Sequence, residues 1–139
     1  MPKIDSLSPN AVKLLEQQVI AHVATVMADG SPHVTPVWVD VEPDGSHVLI
    51  NSAEGRIKTR NLVRDPRIAL SIFDPQDAHR GVVIRGTIVE RRVGDEGGNQ
   101  HIDKMAKKYR GLDKYPNRSE QRVVMRIKPH HVMERGLDR

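Results

Sequence analysis

Short β-branched runs broken by Gly- and Pro-containing turns dominate the chain, and helical spacing surfaces only three times. Ser8-Pro9 reads as an N-cap followed by proline at the first helical position. Val12, Leu14, Leu15, Val19 and Ile20 then supply an apolar side, which predicts a short helix over residues 9–18. AHVATVMA and HVTPVWVDV flank the turn Asp29-Gly30-Ser31-Pro32, a hairpin signal. A second turn, Glu42-Pro43-Asp44-Gly45-Ser46, leads into HVLINS, and the three runs form a meander.

The stretch Ala53–Arg64, AEGRIKTRNLVR, loses the alternation and predicts a helix that stops before Asp65-Pro66. RIALSIFD reads as a strand and RGVVIRGTIVERRV as a long one, with Gly86 as a bulge or bend. Ile102, Met105, Ala106 and Tyr109 stand at helical spacing within His101–Arg110, and Gly111 suits the position that ends such a helix. QRVVMRIKPHHVME closes the series as a strand. Helix, three strands, helix, two strands, helix, strand predicts a mainly β protein, a closed or partly closed six-stranded antiparallel barrel with short flanking helices. The segments 74–81, 94–99 and 111–119 read as loops. With no repeat and no linker, residues 1–139 read as a single domain.

Aromatic residues make up only 3% of the chain, so a core must come from Val, Ile, Leu, Ala and Met. A core of that size makes dimerisation a natural addition. The absence of cysteine removes disulfides, thiolate metal sites and Cys nucleophiles, and is compatible with a reducing compartment. MPKIDSLSPNAVKLLEQQ has no apolar stretch of the signal-peptide kind, and no run approaches the roughly 18 apolar residues of a membrane span. A soluble, cytoplasmic protein without a membrane partner is the expectation. The net charge of +4 suits an anionic partner.

That charge concentrates in NSAEGRIKTRNLVRDPR. Arg56, Lys58, Arg60, Arg64 and Arg67 face only Glu54 and Asp65. Arg56 and Lys58 fall in the first turn of the predicted helix, with Arg60 one turn on. Backbone N–H groups at a helix start already favour an anion, Arg adds a planar fork and Lys a point charge. Ser52 is placed to cap the helix or to donate to the same anion. The competing reading is a solvated basic helix face. Seven histidines are scattered without a ligand spacing, so no metal site is expected. No nucleophile elbow occurs, and no catalytic residue is assigned.

HVATVMADGSPHVTPVWVDV, HVLINSAEGRIKTRNLVRDPRIALSIFD and GVVIRGTIVE, in that order, resemble the pyridoxamine 5′-phosphate oxidase-like split-barrel superfamily. Within it the chain is most similar to the small deazaflavin-dependent reductases, over about residues 8–133. The resemblance implies an FMN-binding-type split barrel and a homodimer with two cofactor sites at the interface. It implies that Arg56, Lys58 and Arg60 meet the cofactor phosphate, with Asn51, Ser52 and Asn61 nearby. It implies that Thr35, Pro36 and Val37 line the ring; Trp38 is read as a core or interface aromatic. The KTRNL form of the helix points to coenzyme F-420, whose polyglutamate tail also suits the basic excess. FMN is the alternative, because both cofactors carry a phosphate after a ribityl chain.

Three function classes follow. The first is an oxidoreductase transferring hydride between the deazaflavin, or FMN, and a small organic substrate. The second is a non-enzymatic carrier of the same cofactor. The third, a nucleic-acid binder, is disfavoured because one Trp, two Tyr and one Phe leave little for base stacking and no binding motif appears.

Overall fold

The computed structural model describes residues 4–138; Met1–Lys3 and Arg139, the ends of the 1–139 domain reading, lie outside the described residues. The elements are α1 (Pro9–Leu15), β1 (Ile20–Val26), β2 (Pro32–Val41), β3 (Val48–Ala53), α2 (Ile57–Arg64), β4 (Arg67–Asp74), β5 (Asp77–Val93), α3 (Gly98–Arg110) and β6 (Arg122–Arg135), with one 3-10 turn at Gly94–Glu96. The six strands close in the order β1-β2-β3-β6-β5-β4, every pairing antiparallel. The predicted fold class and the β1-β2-β3 meander both hold.

Alternation along each strand fills the barrel. Ala21, Val23, Val39, Ile50, Leu70, Ile72, Ile84, Met125 and Ile127 are all buried on the inside, a core of aliphatic side chains and methionine. α1 closes one end by burying Ala11, Val12, Leu14 and Leu15. Its N-cap is Ser8, whose hydroxyl accepts from the Ala11 amide, with proline following.

Four boundaries differ from the sequence expectation. α1 stops at Leu15 rather than residue 18, because Val19 bonds back to Gln17 and turns the chain into β1. α2 starts at Ile57 rather than Ala53. Ala53 completes β3, and Gly55, at φ 85°, makes the turn a side chain would strain. α3 starts at Gly98, three residues early, and Gly111 ends it in the left-handed conformation. β5 starts at Asp77, because Asp74 pairs with Asp77 across a two-residue turn where a longer loop was expected.

The barrel is split at one seam. β2 pairs with β3 only at Val39–Val41, whereas Pro32–Trp38 pairs with β1 alone. Pro32 and Pro36 lie on this half, where a strand can dispense with donors on its free edge. The cavity described below opens along this seam.

Gly86 marks an interruption of the β5–β6 register, as its sequence position suggested. A Cβ there would stand 2.2 Å from the Lys128 carbonyl oxygen. Gly86→Ala is therefore expected to lower stability by about 1–3 kcal/mol through overpacking, read as a lower urea midpoint with an unchanged slope.

Candidate functional site

A cavity of about 340 Å³ sits where the split half of β2, the end of β3, the start of α2 and the start of β6 meet. Ile20, Pro36, Val37 and Ile102 give it apolar walls, while Asn51, Arg56, Lys58 and Arg122 give it polar ones. Trp38 and Tyr115 complete it with aromatic surface. Trp38 stacks on Tyr109 at 5.0 Å between ring centres and meets the edge of Tyr115 at 6.3 Å. Tyr109 is itself anchored, accepting from the Val39 amide and donating to the Val19 carbonyl. Trp38 is thus a fixed cavity wall, one face covered by Tyr109.

Charge is the unusual property. Lys58 is 8% exposed and its ammonium has no acceptor among the described residues. Burial, and then the charges of Arg56 and Arg122, push its pKa down from the usual lysine value. Arg122, the first residue of β6, is 6% exposed. Its Nε donates to Asn51 Oδ1 at 2.9 Å and its guanidinium lies over the Tyr115 ring. Arg56, the extended residue that precedes α2, is more open and pairs with Glu120. Three cations thus converge on one apolar-walled space.

Asn51 is held from behind. Its Nδ2 donates to the Gly98 carbonyl at 3.0 Å and lies 3.1 Å from His101 Nδ1. A carbonyl can only accept, so the amide nitrogen faces α3 and the amide oxygen is left for Arg122. His101 Nδ1 then accepts from Asn51, and the Nε2 proton goes to Asp40 Oδ2 at 3.1 Å. Lys104 donates to the same Asp40 oxygen at 3.0 Å. Burial works to raise the Asp40 carboxyl, but hydrogen bonds from His101 and Lys104 and the Lys104 charge outweigh it and hold the pKa at about 2.

The residues singled out from sequence divide. Asn51, Arg56, Lys58, Pro36 and Val37 line the cavity. Ser52 does not cap α2; it is buried in β3 and accepts from the Thr59 hydroxyl, fastening the helix to the strand. Asn61 is tied to β1, donating to Thr25 Oγ1 and Met27 Sδ. Arg60 faces an outer hollow with Glu54, Gly55 and Val63. Thr35 lies next to the lining rather than in it, and its buried hydroxyl has no hydrogen-bond partner. Arg122 and Tyr115 escaped sequence reasoning. The only signal for Arg122 was a cation opening the apolar run Val123–Met125, far from the basic helix in sequence.

Fold and cavity together define a split-barrel protein with a cation-lined cavity. The family model described as pyridoxamine 5′-phosphate oxidase matches residues 7–136, and the chain belongs to that family of flavin-type oxidoreductases. Solved structures agree on the fold. An F-420 reductase is 24% identical, with a TM-score of 0.77 over 91% of this chain and 98% of that one. A conserved hypothetical protein from Mycobacterium tuberculosis is 21% identical, with a TM-score of 0.68 over 99% and 90%. General stress protein 26 from Bacillus anthracis is 13% identical, with a TM-score of 0.62 over 91% of each chain. Among the described residues no helix is long and apolar enough to cross a membrane.

The Asp40 pairing has a definite pH signature. A carboxyl held below its unfolded value of 3.8 adds stability that is present above that value and is lost as pH falls through about 2. Asp40→Asn is expected to cost about 2 kcal/mol at neutral pH and to flatten the acid limb between pH 4 and 2. Urea unfolding across that range reads both.

Proposed function

We propose that the chain, as a single cofactor-binding domain over residues 1–139, is an oxidoreductase that holds coenzyme F-420 by its phosphate and reduces a small organic substrate. The observation that carries this reading is the largely buried Lys58 side chain, whose ammonium has no acceptor among the described residues and shares the cavity lining with Arg56 and Arg122. A phosphate supplies the charge and the acceptor oxygens that this arrangement lacks. The apolar and aromatic wall of Ile20, Pro36, Val37, Trp38 and Tyr115 suits the ring of such a cofactor. FMN is the alternative occupant, since it offers the same phosphate at the end of the same kind of chain. Exposed Arg60, outside the cavity, suits the anionic tail that distinguishes F-420.

When bound, the cofactor supplies the hydride chemistry. The chain's own residues bind and orient. Lys58, Arg56 and Arg122 anchor the anion, Asn51 fixes Arg122, and Trp38 with Pro36 and Val37 shields the ring from water. The cavity lining includes no carboxylate and no imidazole. That favours a second reading, a carrier that stores the loaded cofactor. Anaerobic mixing of the reduced, loaded protein with small acceptors separates the two, because an enzyme oxidises the bound cofactor faster than the same acceptor oxidises the free reduced cofactor, and a carrier does not.

The cation site is tested by absorbance and fluorescence titration with coenzyme F-420 and with FMN. Trp38, the only tryptophan, gives a second signal from the cavity wall. Lys58→Ala and Arg56→Ala are each expected to weaken binding by about 1–3 kcal/mol. Unchanged affinity in both variants would overturn the assignment.

The assembly proposed is a cytoplasmic homodimer with its cofactor sites at the interface. The outer sheet face supports it. Val34, Ala24, Ala69, Arg85 and His131 form one row across five strands, and Pro36, His22, Ser71, Val83 and Met133 the next. Val34, Val83 and Met133 are exposed apolar side chains on this face, and Pro36 also lines the cavity. Val34→Asp is expected to convert a dimer to a monomer in light scattering. A monomeric parent protein at micromolar concentration refutes the dimer.

A further inference from the structure

A single carboxylate already spans two of the three cavity cations. Glu120 Oε1 and Oε2 lie 3.0 and 2.8 Å from one Arg56 nitrogen, and Oε1 lies 3.2 Å from Arg122. Neither oxygen contacts Lys58, so the carboxylate satisfies both arginines and leaves the lysine bare. Three positive charges face one negative charge here, an excess of two.

The two arginines stand on different supports. Arg122 is buried at the start of β6, bonded to Asn51 and covered by Tyr115, and Asn51 is fixed through His101 to Asp40. Its fork points at the cavity whether or not Glu120 is present. Glu120 instead belongs to the stretch between α3 and β6, which forms neither helix nor strand, and its side chain is partly exposed. Moving that carboxylate into water breaks no sheet hydrogen bond. The Arg56–Glu120 pair is solvent-exposed and of the weak kind, and Glu120 meets Arg122 through one nitrogen only, whereas a phosphate reaching Arg56, Arg122 and Lys58 together meets all three charges.

Resting on the anion-site reading above, we propose that Arg122 is a specificity-determining arm of the site and that Glu120 is its exchangeable counter-ion. Glu120 occupies the Arg56 fork and one terminal nitrogen of Arg122 until a phosphate group replaces it. The exchange explains how a basic, partly buried site remains folded without ligand. It also makes binding selective, because a neutral ligand cannot displace the carboxylate. No bond is made or broken; one anion leaves the arginines and another takes its place.

The test uses inorganic phosphate, the chemistry shared by both candidate cofactors, at low ionic strength. Binding to the full chain is followed through the Arg122 and Arg56 Nε–H signals in nitrogen-15 NMR and through Trp38 fluorescence. Glu120→Gln keeps the side-chain shape and removes the charge. It is expected to tighten phosphate binding roughly three- to tenfold. In the Glu120→Gln background, Arg122→Lys is expected to abolish that gain, since it keeps the charge and loses the fork. A Glu120→Gln protein that binds phosphate equally or more weakly, while Lys58→Ala still weakens binding, overturns the exchange and leaves the anion site standing. If the parent protein binds no phosphate, or Lys58→Ala has no effect, the anion-site reading itself fails and this inference fails with it.

Discussion

Lys58 is the point on which the functional part of the molecule turns. Its side chain is largely buried and its ammonium lines the cavity, pressed by the charges of Arg56 and Arg122, and no acceptor among the described residues meets it. Gathering like charges around a largely buried lysine is costly, and a protein built only for stability has little reason to place them there. Folding pays for it with the aliphatic barrel, whose inward positions are filled on all six strands. The cavity therefore carries an excess of positive charge, which is the basis of the anion site proposed above.

The barrel makes that demand possible by being incomplete. β2 leaves β3 after three paired residues, and the separated half carries two prolines. The gap lets Pro36, Val37 and Trp38 line a cavity instead of pairing with β3. Behind it, α3 acts as a buttress. Tyr109 stacks on Trp38, and His101 with Asp40 sets the amide of Asn51, which in turn aims Arg122. Elements distant in sequence thus hold Asn51 and Arg122 in one orientation, the kind of pre-organisation that small-molecule sites use.

Much of the fold was legible along the chain because local signals and tertiary structure agreed. Asp29-Gly30 and Pro43-Asp44-Gly45 mark real hairpins, and the alternation in RIALSIFD matches burial in β4, whereas in β6 Val124 is buried along with Val123 and Met125. Helix ends were less legible. Ala53 reads as a helix former, yet sheet pairing with Arg122 claims it for β3 and shifts the helix start to Ile57. That shift matters, since it puts Arg56 on the extended residue before α2, where it reaches across to Glu120.

By itself the sequence determined the strand alternation, the cysteine-free aliphatic core and the cluster of cations after the third strand, because each depends on residue type and short-range spacing. Tertiary structure alone decided which of those cations share a space. Lys58 and Arg56 turn inward, Arg60 and Asn61 go elsewhere, and Arg122 arrives from the far end of the chain. Charges meet through space, and the β3–β6 ladder that brings residues 51 and 122 together is set by burial over the whole barrel. No local pattern encodes that encounter.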